Sequence, residues 1–350
     1  MNNKKILLIG PLPPPSGGIS IHINRLYELL KNDYTIEFID EAGSVKADYF
    51  NIRSFNVLKY FKKVQQSNLV FIHSGSHLLR FFHLVAAWVM FKKSIVTIHA
   101  YPAVKKKTIR FFEEFFYAKA TAIIAVNSSI LTRITLPEKK CFIKNAFLPP
   151  VMETEPELPV VLKEWISAKK SKGKIIVCAN AWQLELFNNE DLYGLDLCIE
   201  AADKLRKENP SIVFIFNVVS IDKFKEQYTK FSAQIKEKGL EEDFLLINEK
   251  LSFVKLIQLA DIVLRPTNTD GDALTIREAL FLGKPILASD VVERPSGTIL
   301  FKSRDVGDME LKLKEIATAG LNKINNSENE TRDSFREFYK RVIDNTLQKN

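Results

Sequence analysis

Residues 261–289 contain the pattern that most restricts how this chain can fold. Two runs rich in apolar residues, 261–267 and 285–289, flank a polar turn with Gly271 and a segment of helical character. The helix is expected to begin shortly after Gly271 and to end at Gly283, because glycine commonly ends helices and the proline that follows cannot continue one. A strand, a glycine turn, a helix and a second strand form one β-α-β unit, and such units build parallel sheets.

Two acidic residues of this unit are candidates for ligand binding. Asp270 lies in the turn, where strand ends and the free N–H groups of a helix start form binding crevices. Glu278 lies among residues expected to face the core, and a carboxylate there is costly unless something pairs with it. The pattern therefore predicts a ligand site at the helix start. The alternative is a helix cap at Asp270 and a solvated Glu278.

The motif resembles that of the retaining nucleotide-sugar glycosyltransferases of the GT-B fold, in the large family 4 group. Those proteins carry Glu-Gly-Phe-Gly-Leu, three residues, Glu-Ala and then a Gly-x-Pro-Val-Ile strand. This chain has Asp-Gly-Asp-Ala-Leu at 270–274, Glu-Ala at 278–279 and Gly-Lys-Pro-Ile-Leu at 283–287. Aspartate replaces the first glutamate and alanine replaces the second glycine, so the shorter acid reaches less far toward a donor.

The resemblance implies two Rossmann-like, doubly wound α/β domains that face each other across a cleft, with a C-terminal helix crossing back to the first domain. It also implies transfer with retention of configuration and without a metal ion. Asp270 is expected to hold sugar hydroxyls and Glu278 the ribose, both as catalytic-site residues. The backbone amides expected to meet sugar or phosphate are those of Gly271, Asp272, Ala273 and Leu274.

Short apolar runs alternate with helical patterns along both halves of the chain, which is typical of parallel sheets buried on both faces. A segment rich in proline and acids, 148–159, is the best linker candidate. With the resemblance, this organisation predicts an acceptor-binding domain at 1–155, a nucleotide-sugar-binding domain at 160–330, and a helix within 331–350 that packs on the first domain.

Composition excludes several classes of protein. Of 350 residues, 46% are hydrophobic and 26% are charged, which is typical of a globular protein with room for two domains. The three cysteines have neither metal-ligand nor disulfide spacing, and this suits a reducing compartment such as the cytoplasm. An apolar run at 78–91 contains Arg80 and His83 and is too short to span a bilayer, so we expect a core helix.

Charge is distributed unevenly along the chain. The formal net charge is +8, and residues 49–112 contain no Asp or Glu but many Lys, Arg and aromatic residues. Basic and exposed aromatic side chains together favour an anionic membrane surface. We therefore expect peripheral attachment at the inner face of the plasma membrane and a lipid-linked or oligosaccharide acceptor. The alternative is a solvated lysine face with half of the aromatic residues in the core. No nucleic-acid motif is present, so nucleic acid is not an expected partner.

Five positions in the N-terminal half are further candidates. Gly17 and Gly18 follow the first strand and open a helix, where bare backbone and a helix start favour phosphate. His99 ends a strand and, from the resemblance, is expected to act near the donor sugar; a structural histidine is the alternative. His73 ends the preceding strand, and His22 on the first helix is an acceptor-side candidate.

The chain departs from the family pattern at two cationic positions. Many members have Gly-Arg at the end of the first strand of the second domain and Lys-Gly before the next helix, where the cations neutralise the departing diphosphate. Here the strand ends in Asn-Ala-Trp at 180–182 and the later pair is Tyr-Gly at 193–194. The candidate replacement cations are Arg265, Arg294 and Lys302, and Arg265 is assigned to donor or phosphate binding.

One activity and two alternatives follow. The predicted activity is transfer of a sugar from a UDP- or GDP-linked donor to a lipid-linked glycan in bacterial surface polysaccharide synthesis, with no cofactor. The missing cations motivate a non-catalytic glycosyltransferase-like partner subunit, and a nucleotide-sugar epimerase of the same fold is the second alternative. No metal-ligand spacing is visible; Asp270 and Asp272 match a metal-binding triplet, but their register with the two-acid motif explains them better.

Overall fold

The chain is divided into two compact units. The structure is a computed structural model that describes residues 4–14, 17–100, 107–208, 211–319 and 331–348. The first unit comprises Met1–Pro149 and Glu330–Asn350, and the second comprises Pro150–Asn329. Each is an α/β unit built on a parallel sheet, which confirms the predicted fold class.

The first unit is built on a seven-stranded parallel sheet. Its strands are β1 (Lys5–Gly10), β2 (Thr35–Asp40), β3 (Phe50–Asn51), β4 (Leu69–Ile72), β5 (Lys93–Ile98), β6 (Ala122–Ala125) and β7 (Cys141–Ile143). They lie in the order β3-β2-β1-β4-β5-β6-β7. The winding reverses at β1, which pairs with β2 on one side and with β4 on the other. Parallel neighbours need long crossovers, and helices supply them.

Helices of the first unit cover the faces of this sheet. They are α1 (Gly18–Leu30), α2 (Val57–Gln66), α3 (His77–Val89), α4 (Lys107–Lys119) and α5 (Ser128–Leu131), with 3-10 helical turns at Ile52–Ser54 and Glu138–Lys140. Leu7, Val70 and Val96 of the central strands lie in one apolar cluster with Tyr60 of α2 and Leu84 of α3. This core on the face of the sheet fixes the relative positions of the strands, and therefore of the strand ends.

The sequence predicted a core helix for the apolar run at 78–91. The structure shows a helix that is only partly in the core. Arg80 and His83 of α3 are buried, whereas Leu78 is 82% exposed and Trp88 is 45% exposed. Apolar residues lie on several sides of this helix, but a helix that packs on a sheet buries only one side. Leu78, Phe82, Trp88 and Val89 of α3 are therefore exposed.

The second unit is built on a six-stranded parallel sheet and a small antiparallel hairpin. Its strands are β8 (Ile175–Ala181), β9 (Leu186–Phe187), β10 (Glu190–Asp191), β11 (Ile212–Val218), β12 (Phe244–Ile247), β13 (Ile262–Arg265), β14 (Ile286–Ser289) and β15 (Ile299–Phe301). The main sheet has the order β12-β11-β8-β13-β14-β15, and β9 and β10 form the hairpin. The winding reverses at β8, between β11 and β13.

Two apolar layers enclose this second sheet. The helices are α6 (Val160–Ser171), α7 (Leu195–Glu208), α8 (Lys225–Glu237), α9 (Phe253–Leu259), α10 (Leu274–Phe281) and α11 (Val306–Ala319). Phe214 and Phe216 of β11 pack with residues of α7, α8 and α11 on one face. Val213 and Ile215 pack with residues of α6, α9 and α10 on the other face. The alternation leaves polar residues only where the strands end.

The last helix, α12 (Arg332–Gln348), belongs to the first unit. Its apolar stripe is buried against α1 and β5. Asp33, which follows α1, accepts hydrogen bonds from Arg336 and Lys340 at 2.6–2.8 Å. This helix lies within residues 331–350, where a helix is predicted from the resemblance and the organisation of the chain.

Candidate functional site

Polar side chains collect at the carboxyl ends of the strands in the second unit. Asn180 of β8 and Asn217 of β11 are neighbours in the strand register. Arg265 ends β13 and pairs in register with Ala288 of β14. Because the strands are parallel, these ends lie along the edge at which α/β proteins bind ligands. The helix α10 begins after β13, so its N-terminus belongs to the same edge.

Asp270 is the centre of a charged cluster at this edge. Its Oδ2 accepts hydrogen bonds from Arg265 Nε at 3.0 Å, Arg294 Nη1 at 2.9 Å and Thr267 Oγ1 at 3.1 Å. Its Oδ1 accepts hydrogen bonds from Arg265 Nη2 at 3.1 Å and from the Gly271 amide at 3.0 Å. These five donors fill the acceptor capacity of one carboxylate. The protein itself therefore fixes the position of this side chain.

The cluster carries an excess of positive charge. Two arginines oppose one carboxylate, and the side chains of Arg265, Arg294 and Asp270 are 13%, 2% and 9% exposed. Burial raises the pKa of Asp270, but hydrogen bonds from Arg265 and Arg294 and the charges of these two residues outweigh it and hold the pKa below its usual value. The surplus charge attracts an anion more strongly here than in bulk water, because the surroundings have a lower dielectric.

The two arginines differ in how fully their donors are engaged. Arg294 donates from Nε to the Ser289 carbonyl, from Nη1 to Asp270, and from Nη2 to the hydroxyls of Thr267 and Ser289. Arg265 donates to Asp270 from Nε and Nη2, whereas its Nη1 donates to no residue that the structure describes. Arg265 is therefore the cation of this cluster with a donor left for a ligand.

The start of α10 provides backbone donors beside this cluster. Ala273 is the N-cap residue and makes no side-chain capping bond, and the first N–H groups of a helix have no intrahelical partner. Of the four amides predicted to meet a ligand, that of Gly271 is engaged by Asp270. Those of Asp272, Ala273 and Leu274 lie in the turn where the helix begins. Ligand contacts of these amides stay a prediction.

Glu278 lies on the buried face of α10. It is 6% exposed and follows Thr275 by three residues on the same face. The Thr275 hydroxyl donates a hydrogen bond of 3.4 Å to Asn180 Oδ1 at the end of β8. The second acid of the motif is thus buried, and Asp270 does not cap α10. The alternative of a helix cap with a solvated glutamate is wrong.

A buried amide lies beside the partly buried Asn180. Asn217 is fully buried, and neither its Oδ1 nor its Nδ2 has a hydrogen-bond partner among the residues that the structure describes. An unsatisfied buried amide costs about 1–3 kcal/mol, and each such group in a native protein needs an explanation such as a water or ligand partner. Asn217 was not among the predicted site residues, although an asparagine in an otherwise apolar strand is a usable signal.

Tyr193 occupies one of the two positions at which the expected cation is missing, and a different cation, Arg265, lies beside it. The guanidinium of Arg265 is 5.3 Å from the centroid of the Tyr193 ring. The following residue, Gly194, has φ +71°, and a Cβ there would lie 2.3 Å from the Pro266 carbonyl oxygen. Glycine is therefore required for the β10–α7 loop to pass β13. Of the three candidate replacement cations, Arg265 and Arg294 join the Asp270 cluster.

The third candidate, Lys302, has no described contact with that cluster. It lines an open cavity of about 530 Å³ beside α7, together with Glu190, Glu200 and Arg304. Arg304 is already paired with Asp196 and Glu190. None of the residues assigned to the predicted site lines this cavity, so its size does not identify it as the functional site.

Asp191 ends β10, four residues before the start of α7, and has an unusual pKa. Its Oδ2 accepts a hydrogen bond from the Leu195 amide, and the residue is 4% exposed. Burial, with a contribution from Asp196, raises the pKa of Asp191 from 3.8 to about 6. The folded state therefore holds this proton more tightly than the unfolded state. The contribution of the protonated Asp191 side chain to the free energy of unfolding is fully present below the unfolded pKa of 3.8. It is lost as the pH rises through about 6.

Asp191→Asn is expected to remove this pH dependence. Asparagine keeps an oxygen for the Leu195 amide but cannot ionise. Relative to the wild type, the variant should therefore gain about 2–3 kcal/mol in free energy of unfolding between about pH 4 and about pH 7. Urea unfolding of both proteins across this range measures the gain. A difference that does not change with pH contradicts the raised pKa.

Gly17 and Gly18 begin α1 after β1. Gly17 is the N-cap residue, and its amide donates to Ser20 Oγ at 2.7 Å. Both glycines are exposed, and a Cβ added to Gly18 meets no atom of the described chain within 4 Å. Packing does not require glycine at 18, which is compatible with a backbone left bare for a ligand. Phosphate binding at this turn stays a prediction.

Three histidines come together in the first unit. The ring centroids of His22 on α1, His73 after β4 and His99 after β5 are 5.0–5.7 Å apart. Burial lowers the pKa of His22 to about 4 and the pKa values of His73 and His99 well below 6.5. All three imidazoles are therefore neutral at pH 7. The predicted catalytic role of His99 near the donor sugar stays a prediction, and a cluster of these three residues was not predicted from the sequence.

Aromatic and basic residues of the first unit divide between core and surface. Tyr60 and Tyr117 are buried, and Arg80, Lys92 and Lys93 donate hydrogen bonds to backbone carbonyls. In the part of the chain that the structure describes, no helix is long and apolar enough to cross a membrane. The apolar surface of the first unit comprises the exposed residues Phe55, Val57, Leu58, Leu78, Phe82, Trp88, Val89, Phe91, Phe111, Phe112 and Phe115.

Comparison with known proteins agrees with this architecture. Residues 186–301 match the family model described as glycosyl transferases group 1, and this segment includes the Asp270 cluster and Glu278. No curated protein sequence matches the chain. The crystal structure of a glycosyltransferase from Rickettsia africae has a TM-score of 0.72 and 13% identity, with 100% of each chain covered.

Two further structures contain nucleotides or sugar nucleotides. The HepE protein of Anabaena, in complex with UDP and glucose, has a TM-score of 0.67 and 12% identity, covering 98% of this chain and 100% of its own. An Escherichia coli structure described as trehalose-6-phosphate bound with UDP-2-fluoro glucose has a TM-score of 0.60 and 13% identity, covering 99% and 100%. At these identities the likeness establishes the fold alone, which is that of the GT-B glycosyltransferases.

Proposed function

We propose that this chain is a nucleotide-sugar glycosyltransferase that transfers the sugar of a UDP- or GDP-linked donor with retention of configuration. The observation that carries the proposal is the partly buried cluster of Asp270, Arg265 and Arg294, inside the segment that matches the group 1 glycosyltransferases. The leaving group of such a reaction is a nucleoside diphosphate. It needs positive charge and N–H donors where negative charge develops, and this cluster supplies both.

Each residue of the site has a separate task in this proposal. Arg265 meets the diphosphate through its unengaged Nη1, and the amides at the start of α10 add the partial positive charge of a helix N-terminus. Asp270 positions both arginines, and a sugar hydroxyl reaches its oxygens only by displacing one of the present donors. Glu278 is assigned to the ribose hydroxyls, and His99 to the sugar.

The ion pairs made by Asp270 and Asp272 support transfer without a metal at this end of the sheet. A divalent ion held by Asp270 and Asp272 needs carboxylate oxygens free to coordinate it. Instead, Asp270 is bonded to Arg265 and Arg294, and Asp272 accepts a 2.7 Å hydrogen bond from Arg277. In this proposal, arginine side chains therefore supply the positive charge that a metal ion supplies in metal-dependent glycosyltransferases.

A lipid-linked glycan at the inner face of the plasma membrane is the proposed acceptor, in the assembly of a bacterial surface polysaccharide. The apolar surface of the first unit supports this proposal, since Phe111 and Phe112 are 67% and 58% exposed on α4. Arg53, Lys59 and Lys62 are exposed on the same unit. Each cation near an anionic bilayer adds about 1 kcal/mol to membrane binding.

Phe111→Ser with Phe112→Ser is expected to reduce membrane binding by roughly tenfold or more, because two aromatic anchors are lost. Co-sedimentation with vesicles that contain anionic lipid measures binding, and salt should release the wild type. Val160→Ser with Val161→Ser is the matched control, because these residues are 63% and 77% exposed in the second unit. Pelleting that is independent of salt and lipid charge contradicts membrane attachment.

A donor panel tests the activity itself. Purified protein is mixed with UDP- and GDP-sugars, and thermal shift, hydrolysis and transfer are measured. We expect one donor to raise the melting temperature and its sugar to be transferred with the anomeric configuration unchanged in the NMR spectrum. A protein that binds no donor at millimolar concentration supports the non-catalytic partner subunit. Conversion of the donor sugar without any acceptor supports the epimerase.

A further inference from the structure

We propose that His22, His73 and His99 form a binding site for one divalent transition-metal ion, preferably zinc. The ligands come from α1 and from the residues that follow the neighbouring strands β4 and β5. Imidazole nitrogens suit zinc and its neighbours in the first transition series. The site lies in the first unit and makes no use of the Asp270 cluster; of the residues given a task in the proposed sugar transfer, it shares only His99.

The separation of the rings fits a single ion. One ring nitrogen of each histidine lies within 4.8 Å of those of the other two, and the centroid distances are 5.0, 5.1 and 5.7 Å. Tetrahedral zinc with bonds of about 2.0–2.1 Å places imidazole centroids about 5.2 Å apart and the bound nitrogens about 3.3 Å apart. The rings already have the required separation. Metal binding requires the ring nitrogens, which lie within 4.8 Å of one another, to move closer together.

The hydrogen bonds leave lone pairs for a metal on His22 and His73, whereas His73 Nδ1 lies 3.4 Å from His99 Nε2, a contact that a bound ion would replace. His22 Nδ1 is 2.7 Å from the Ala146 carbonyl oxygen, which can only accept, so Nδ1 carries the proton and Nε2 the lone pair. Nε2 of His22 and Nε2 of His73 are buried and have no hydrogen-bond partner within the described ranges. Metal-bound histidines usually donate their other N–H to a carbonyl or carboxylate in this way.

The electrostatic surroundings set the expected affinity. Arg25 lowers the pKa of His22 and Arg80 lowers that of His99, and the same repulsion opposes a divalent cation. We therefore expect a dissociation constant on the order of micromolar, weaker than that of a structural zinc site.

Three protein ligands leave the fourth position of a tetrahedral ion open to water or to a hydroxyl group. The bound ion would also connect the first helix to two strand ends of the sheet, and so raise the melting temperature of the protein. Stabilisation of this kind follows from binding to the folded state alone.

Cobalt titration of the full-length protein tests the site. The protein carries no polyhistidine tag and is first dialysed against a chelator. We expect one equivalent of Co²⁺ to give the visible absorption of tetrahedral cobalt, Zn²⁺ to displace it, and Mg²⁺ to have no effect. His22→Gln and His99→Gln should each lower the affinity by about 100-fold or more. His77→Gln is the control, because this histidine lies on α3 outside the cluster.

Absence of one-equivalent binding at millimolar metal, or equal affinity in wild type and both cluster variants, overturns the site. If a variant does not fold, zinc-soaked crystals of the wild type decide by anomalous scattering at the zinc edge. A peak between the three rings supports the site, and a peak elsewhere or none contradicts it. Sugar transfer is assayed separately, so failure of the metal site leaves the donor proposal intact.

Discussion

Asp270→Asn is expected to destabilise the second unit by about 3–5 kcal/mol, the usual cost of removing one partner from a buried ion pair. The replacement leaves Arg265 and Arg294 without their counter-ion, and the Arg294 side chain is only 2% exposed. Transfer should fall by at least about 10³-fold, because the donors aimed at the leaving group lose their fixed positions. Urea unfolding and steady-state kinetics measure the two effects.

Asp203 provides a matched control for stability. It also contacts two cations closely, Lys238 at 2.9 Å and Arg206 at 3.3 Å, but both of those side chains are 31% exposed. Solvated pairs contribute about 0–1 kcal/mol, so Asp203→Asn should change the free energy of unfolding by no more than this. Equal unfolding midpoints for Asp203→Asn and Asp270→Asn would show that the Asp270 cluster does not hold the arginines in place.

Asp270→Glu separates positioning of the arginines from contact with the sugar. The negative charge is kept and one methylene is added, so the protein should fold and bind the free nucleoside diphosphate nearly as well as the wild type. If Asp270 also contacts the sugar, the KM for the donor changes while the affinity for the free nucleotide does not. A parallel loss of both assigns the residue to positioning alone.

The β-α-β unit that carries the proposed ligand edge of the second unit could be predicted from sequence because several local signals agree there. Gly283 follows α10 with φ +67°, as a helix-ending glycine should, and β11 occupies Ile212–Val218, as its apolar run predicts. The partners of Asp270 were harder to predict. Arg265 is five residues away, but Arg294 is 24 residues away and reaches Asp270 only through the order of β13 and β14.

Other features could not be predicted because they depend on topology or give little periodic signal. His22 and His73 are brought together by the reversal of winding at β1 and by the path of α1, which no spacing in the sequence encodes. Helix α8 was missed, since it buries only Phe231 and Ile235 among many charged residues. A helix with so narrow a buried stripe resembles a polar loop in a single sequence.

Arg265→Ala is expected to weaken binding of the nucleoside diphosphate by about 10–150-fold, since a charge-assisted hydrogen bond is worth about 1.5–3 kcal/mol. Arg265 is the cation of the cluster whose Nη1 is not engaged within the described chain. The contact strengthens as charge moves onto the departing diphosphate, so kcat should fall more than donor affinity does. Calorimetry with UDP and GDP and steady-state kinetics measure these quantities.

Two further arginine variants show whether position or charge matters. Arg265→Lys keeps the charge but cannot form the two parallel bonds to Asp270, so it should recover only part of the affinity. Arg277→Ala removes an arginine of α10 that pairs with the partly exposed Asp272, and should leave nucleotide affinity within about twofold. If Arg265→Ala folds normally and binds the nucleotide unchanged, the proposal loses its main support. Arg294 could not take over the phosphate, because its donors are engaged by neighbouring residues.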